Sequence, residues 1–198
     1  NSNLSLMAHF KPISYTDDFE TGNLNGLGWA SSGSAPWLVQ SGTVLAGSFS
    51  ARSGVIGNGQ TSSLRFSTNF GGGVASFYFK VSSEPGWDFL KFYLDGNLLQ
   101  QWSGEVGWAN YPFTVAAGVH ALEWRYSKDA NNSAGLDAAF IDNVSLPLGV
   151  GIDATTPAHL QIMRELDGSL LIQVQGQTNQ QYVIQGATSL ATPTSWQN

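Results

Sequence analysis

Short runs in which hydrophobic and polar residues alternate recur along the first 147 positions, and no stretch keeps a helical period for long. Leu64-Arg65-Phe66, Ser76 to Val81 and Phe89 to Leu94 read as half-buried strands. Asp95-Gly96-Asn97 is a tight hairpin turn that returns the chain as Leu98 to Trp102. From Ala121 to Tyr126, Leu122, Trp124 and Tyr126 share one face while Glu123 and Arg125 share the other. Phe140 to Leu146 closes the set and Pro147 stops it. Four clusters read as turns between these runs: Gly57-Asn58-Gly59, Gly71-Gly72-Gly73, Glu84-Pro85-Gly86 and Ala116-Ala117-Gly118. Many short strands at such spacing predict an all-β fold, an antiparallel jelly-roll β-sandwich spanning residues 14–147.

The pattern changes after Pro147. Residues 148–157 read as a linker, and 158–198 offer three strand candidates: Leu160 to Arg164, Ser169 to Gln175 and Gln181 to Gly186. Asp167-Gly168 makes a hairpin between the first two. This is too few strands for a whole immunoglobulin-like sandwich, so the unit reads as a partial one. Leu160, Ile162, Leu170, Ile172, Val174, Tyr182 and Ile184 would then be covered by the first domain or by another copy of the chain. Residues 1–13 are an N-terminal extension. Its short apolar centre lacks a basic start, so it does not read as an intact signal peptide.

Charge and composition narrow the function classes. Eight Lys and Arg against fourteen Asp and Glu give a net charge of −6, which argues against a nucleic-acid partner. Charged residues are only 11% while 42% are hydrophobic, so the chain is not disordered over most of its length. Cysteine is absent, which removes disulfides, thiolate metal sites and a Cys nucleophile. No apolar run approaches the ~18 residues of a membrane span, so membrane insertion is not expected. His9, His120 and His159 lie far apart without zinc-binding spacing, and no nucleophile elbow, P-loop or dinucleotide fingerprint occurs. Nothing marks a catalytic pair of carboxylates, and the chain is not expected to be an enzyme.

Several short motifs follow one another in a set order. Asp18-Phe19-Glu20-Thr21-Gly22 comes first, then Trp29 and Pro36-Trp37, then Gly86 to Leu90, Tyr93 to Gly96, and Ser103-Gly104 with Trp108. The strongest part is Gly118 to Asp129, continued by Gly135 to Val144. In this order, the stretch from Asp17 to Pro147 resembles a bacterial extracellular jelly-roll family. Its relatives include the cleaved adhesin domains of gingipains, the MAM-like domains and, more distantly, jelly-roll carbohydrate-binding modules. The resemblance implies a non-catalytic accessory module of a secreted or cell-surface bacterial protein. Gln181 to Gln185, with Thr194-Ser195-Trp196, looks like the immunoglobulin-like repeats of secreted bacterial proteins.

Trp29, Trp37, Trp87, Trp108 and Trp124 stand where the resembled family carries aromatics, and core or loop packing accounts for them. Trp102 differs, because it ends the polar stretch Gln100-Gln101 near a loop that carries Trp108, Asn110 and Tyr111. An aromatic platform beside amides is suited to a polysaccharide or other glycan, with ring faces stacking and amides taking hydroxyls. Trp102, Trp108, Tyr111, Asn110 and Gln101 are therefore the expected ligand residues, with packing at a sheet edge as the alternative. The competing function is a structural spacer or adhesin repeat that contacts an extracellular protein. Aromatics gathered in one solvent-facing groove favour glycan, and buried ones favour the spacer.

A calcium ion is expected where the first and last strands meet. Strict alternation sets Phe140, Asp142, Val144 and Leu146 on one side of the final strand, where an unpaired carboxylate is costly to bury. Asp18 and Glu20 share a side near the start, and few cations are available to pair with them. A hard cation with oxygen ligands resolves the repulsion. The resemblance implies an early Glu and a late Asp as ligands. Glu20 and Asp142 are the expected side chains, with Asp18 and Asn23 in support and backbone carbonyls from Ser48 to Ser50 completing the shell. Alternatively, Glu20 and Asp142 accept backbone N–H groups at turns. Asp129-Ala130-Asn131-Asn132-Ser133, with Asp137 beyond, also has oxygen-bearing side chains spaced as in calcium loops, or is a solvated turn.

Overall fold

The computed structural model describes residues 14–25, 28–147, 159–164 and 170–175. They carry eleven strands: β1 (Ser14–Asp17), β2 (Ala30–Gly33), β3 (Leu38–Gln40), β4 (Ser50–Arg52), β5 (Thr61–Ser82), β6 (Phe89–Leu94), β7 (Asn97–Trp102), β8 (Glu105–Ser127), β9 (Ala138–Pro147), β10 (His159–Arg164) and β11 (Leu170–Gln175). Every pairing among them is antiparallel. Residues Ser14–Gly149 form one compact unit, and β10 and β11 belong to another.

In the first unit, β5 and β8 are long enough to run through both layers of a sandwich. The N-terminal half of β5 pairs with β2 and with the C-terminal half of β8, which continues to β6 and β7. We call this layer sheet II. The C-terminal half of β5 pairs with β9 and with the N-terminal half of β8, and β9 pairs with β1 and β4, with β3 outermost. This layer is sheet I.

The crossing point falls at Gly71-Gly72-Gly73 opposite Ala116-Ala117-Gly118, where the β5–β8 register continues unbroken. These two clusters are therefore bends inside continuous strands, not the turns expected of them. Gly72 (φ +75°), Gly73 (φ +138°) and Gly118 (φ +128°) take backbone angles that side chains disfavour. The inward parity changes across the bend in both strands. Leu64, Phe66 and Phe70 are buried before it on β5, and Ala75, Phe77, Phe79 and Val81 after it. On β8 the buried set changes from Phe113 and Val115 to Leu122, Trp124 and Tyr126.

Aromatic rings dominate the space between the sheets. Phe77 of sheet I meets Phe92 (4.8 Å between centroids) and Trp124 (5.2 Å) of sheet II, and all three are fully buried. Trp29 closes one side against Phe19, Phe66 and Trp124. Its indole N–H donates to Asp17 Oδ2 at 2.8 Å, so of the early acids it is Asp17 that is buried. Deleting a fully buried ring from such a core costs about 3–5 kcal/mol.

In the second unit, β10 and β11 pair from His159 opposite Gln175 to Arg164 opposite Leu170, as the hairpin reading expects. The hairpin tip, the third strand, the linker, the N-terminal extension and the cover over the apolar face lie outside the described residues.

Candidate functional site

The five expected ligand residues lie on three different surfaces. Trp102, at the end of β7, faces into the sandwich with its ring centroid 4.0 Å from that of Phe79, and it meets Phe77 edge-on. Tyr111 faces inward from β8 and touches Phe77, Phe92 and Trp102. Both are half-buried members of the core's rim. Gln101 is one residue from Trp102, so it projects to the opposite side, onto the outer face of sheet II opposite Lys91. Trp108 and Asn110 project to the outer face of sheet I. The platform of Trp102, Trp108 and Tyr111 therefore does not exist. Adjacent strand residues point to opposite faces, and treating them as one loop overlooked that alternation.

The outer face of sheet I carries a different aromatic group. Arg52, Phe140 and Lys80 stand directly opposite one another across β4, β9 and β5. Tyr78 lies two residues from Lys80 and opposite Asn110 of β8. Val106 opposes Val81 and Ala109 opposes Phe79, so a bulge on β8 leaves Trp108 on the outer side. There Trp108 lies edge-on to Phe140 at 6.5 Å, and the Arg52 guanidinium sits 5.8 Å from the Phe140 ring centre. Phe140 is the buried floor, while Tyr78, Lys80, Arg52 and Trp108 are half-exposed and Asn110 is exposed. Neither Arg52 nor Lys80 pairs with a carboxylate among the described residues. Sequence reasoning missed Tyr78, Lys80, Arg52 and Phe140. The available signal was their polar-to-aromatic alternation on the side opposite the core.

The outer face of sheet II is arranged otherwise. Glu123 binds Arg65 (2.8 Å) and Arg125 (2.7 Å) and accepts from the Ser63 hydroxyl at 2.8 Å. Burial alone would raise the Glu123 carboxyl, yet the Ser63 hydroxyl and the two guanidinium groups outweigh it and hold it below its ordinary range. Arg125 stacks 4.7 Å over Tyr93, and Lys91 lies over Phe89. At the hairpin end, His120 Nδ1 is 2.6 Å from Asp95 Oδ2. Asp95 is held below the usual carboxylate range, first by the Ala121 N–H and then by His120.

Glu20 and Asp142 do reach one loop from the two ends of the unit. Glu20 accepts N–H groups of Ser48 (2.9 Å) and Phe49 (2.9 Å). Asp142, almost fully buried, accepts those of Leu45 (3.1 Å) and Asn143 (2.8 Å). Gly47, with φ +68°, lets the loop lie against Glu20, because a Cβ there would collide with the carboxylate. Burial, with the Glu20 charge adding to it, pushes the Asp142 carboxyl up, while the N–H groups of Leu45, Asn143 and Ala46 pull the other way.

Ser48 and Phe49 offer Glu20 their N–H groups, as in the alternative reading of Glu20 at a turn. Two expected details are corrected. Asp18 accepts the Glu20 N–H at 3.2 Å, and Asn23 bonds Thr21 and Asn25, so both shape local turns. The parity of β9 also resets at Asn143 (φ +46°), where a bulge shifts the register. Asp142 therefore shares the outer side with Phe140, while Val144 and Leu146 turn inward to the core.

No protein-family model matches the sequence, and comparison with curated proteins gives no significant match. Solved structures do match. The K2 cleaved adhesin domain of Lys-gingipain superposes with a TM-score of 0.51 at 16% identity, over 69% of this chain and 98% of that one. The K3 cleaved adhesin domain of Lys-gingipain from Porphyromonas gingivalis gives 0.50 at 14% identity, over 67% and 98%. TmCBM61, solved in complex with β-1,4-galactotriose, gives 0.46 at 21% identity, over 65% and 92%. The jelly-roll unit of this chain thus has the β-sandwich fold of the gingipain cleaved adhesin domains, as the order of its motifs implies.

Proposed function

We propose that the chain is a non-catalytic binding module that takes a polysaccharide or glycan on the outer face of sheet I, as part of a secreted or cell-surface protein. The observation that carries this is the strip of Tyr78, Trp108 and Phe140 flanked by Lys80, Arg52 and Asn110. The half-exposed rings of Tyr78 and Trp108, over the buried Phe140, can stack on the apolar face of a pyranose, while side-chain N–H groups take its hydroxyls. Neither cation pairs with a carboxylate among the described residues. The Arg52 guanidinium reaches the Ser53 and Leu136 carbonyls, and the Lys80 ammonium has no such contact there and is open to a ligand. The cleaved adhesin domains that share the fold support a surface location.

Affinity electrophoresis through gels containing neutral or acidic polysaccharides tests the reading. At least one polysaccharide should retard the parent, and Trp108→Ala and Tyr78→Ala should migrate as in an empty gel. If every polysaccharide leaves the parent unretarded, the glycan reading fails and the spacer reading takes its place.

The same reading includes a structural calcium ion at Glu20 and Asp142. Two carboxylates of like charge meet at one loop, Asp142 is buried, and no Lys or Arg pairs with either among the described residues. Their acceptor capacity is partly used by backbone N–H groups, which leaves the remaining lone pairs for the ion. Calcium that binds only the folded state stabilises it by mass action. Excess chelator should therefore lower the unfolding temperature of the parent by more than that of Glu20→Gln.

A further inference from the structure

A second cluster of acids lies apart from the loop that joins Glu20 to Asp142. We propose that Glu84, Asp88 and Asp129 form a calcium site that clamps the β5–β6 loop to the loop after β8. Carboxylate oxygens of all three lie within 4.8 Å of one another. The backbone holds them there. Trp87 and Asp88 donate their N–H groups to the Glu84 carbonyl (3.4 and 3.2 Å), a turn that brings Glu84 and Asp88 to the same side. The Ser83 hydroxyl donates to the Asp88 carbonyl at 2.8 Å and accepts the Gly104 N–H. Asp129 is fixed by its own N–H, which donates to Asp88 Oδ1 at 2.9 Å, and by its carbonyl, which accepts from Gly59.

The independent sign of a ligand is unmet acceptor capacity. Asp88 is fully buried, yet its Oδ2 accepts no hydrogen bond, and Glu84 Oε2 is likewise buried without a partner. Leaving charged oxygens desolvated and unbonded is costly, so something must neutralise them. Lys128 lies 3.5 Å from Asp88 Oδ2, but its ammonium is held by Asp137 and by the Ser133 hydroxyl. It is the one cation within ion-pair distance of the three carboxylates among the described residues, it reaches only Asp88 of them, and it is shared with Asp137. The ammonium thus takes Ser133 and Asp137 out of the calcium-like spacing seen in the sequence. Asp129 turns instead toward Glu84 and Asp88.

The donor set is all oxygen, which selects a hard cation. Carboxylates from two loops, without a rigid octahedral frame, suit calcium better than magnesium. Bound there, the ion would also secure Gly57 to Gln60, since Gly59 donates to the Asp129 carbonyl and Lys128 N–H donates to the Gln60 carbonyl.

The test strips the whole chain of metal and titrates it with calcium, and separately with magnesium, by calorimetry and by thermal unfolding. Glu84→Gln and Asp129→Asn are compared with the parent and with Glu20→Gln. Asp88 is left intact because its Oδ1 holds the Asp129 backbone. Each of the two variants should lose one equivalent of bound calcium, or bind it at least about tenfold more weakly as ligand charge is removed. Glu20→Gln should keep that equivalent. The variants should also invert in rank, unfolding at or above the parent temperature in chelator, where repulsion is relieved, and below it in calcium. Equal calcium binding by the parent and both variants would overturn the site. So would a parent that binds no calcium but gains stability from Glu84→Gln under all conditions, which would mark a cluster sharing a proton.

Discussion

The two outer faces of the sandwich are built from the same kind of strand and differ in how their charges are spent. On sheet II, Arg65 and Arg125 converge on Glu123, and Tyr93 is covered by Arg125. On sheet I, Arg52 and Lys80 stand beside Phe140, Tyr78 and Trp108 and pair with no carboxylate among the described residues. The buried Asp142 opposite Tyr78 is taken up by backbone N–H groups. The Glu123 cluster is matched internally and offers a ligand little, although Lys91 on the same face, over Phe89, has no carboxylate partner among the described residues. The sheet I face keeps the Lys80 ammonium and the half-exposed rings of Tyr78 and Trp108 open.

Substitutions on the two faces and in the rim between them should sharpen this contrast. The largest effect is expected from Trp102→Ala, because Trp102 packs on Phe79 and Phe77. It should cost about 2–4 kcal/mol in denaturant unfolding, below the cost at a fully buried ring because Trp102 is half-exposed. Any loss of binding should follow the loss of folded protein. Retained stability with abolished retardation would restore Trp102 to the ligand site. Next comes Glu123→Gln, which leaves two guanidinium groups and the Ser63 hydroxyl without their charged acceptor. About 1–3 kcal/mol should be lost at neutral pH with glycan retardation unchanged.

The acid limb of unfolding separates the carboxylates further. Glu123 releases its proton more readily folded than unfolded, so its stabilisation is present above the unfolded carboxylate's pKa and is lost as pH falls through its lower folded value. The difference between parent and Glu123→Gln should shrink over that interval. Asp142 has the opposite sign, since its raised folded value makes the fold gain stability as pH falls through it. Without calcium, Asp142→Asn should therefore stabilise the chain at neutral pH relative to acid pH, provided the N–H bonds from Leu45 and Asn143 survive. A constant offset across pH would contradict the assignment. The smallest stability effect is expected from Trp108→Ala, under about 1 kcal/mol, since only Phe140 is uncovered.

Strand identity was legible in the sequence wherever alternation was uninterrupted. Leu122, Trp124 and Tyr126 face inward and Glu123 and Arg125 outward, as the pattern requires. The same rule failed at Asp142, Trp108 and the Gly71 to Gly73 bend, each beside a bulge or bend that resets parity. A single extra residue reverses every face assignment beyond it, and only a Gly or an Asn at positive φ hints at it locally. The Tyr78–Trp108–Phe140 strip joins three strands, and the acids at 84, 88 and 129 join two loops. Both depend on register and topology, which local pattern does not encode. The convergence of Glu20 and Asp142 on one loop was legible because the resemblance supplied the long-range pairing that periodicity lacks.

The proposed glycan site lies on sheet I and leaves sheet II untouched. Two-dimensional amide NMR of the labelled chain, titrated with an oligosaccharide of the retained polysaccharide, tests it most directly. The Trp108 indole N–H and the backbone amides of Tyr78, Lys80 and Asn110 should shift in proportion to occupancy, while those of Tyr93, Glu123 and Arg125 stay fixed. Saturable shifts confined to Tyr93, Glu123 and Arg125, or to the Trp102 indole, would contradict it.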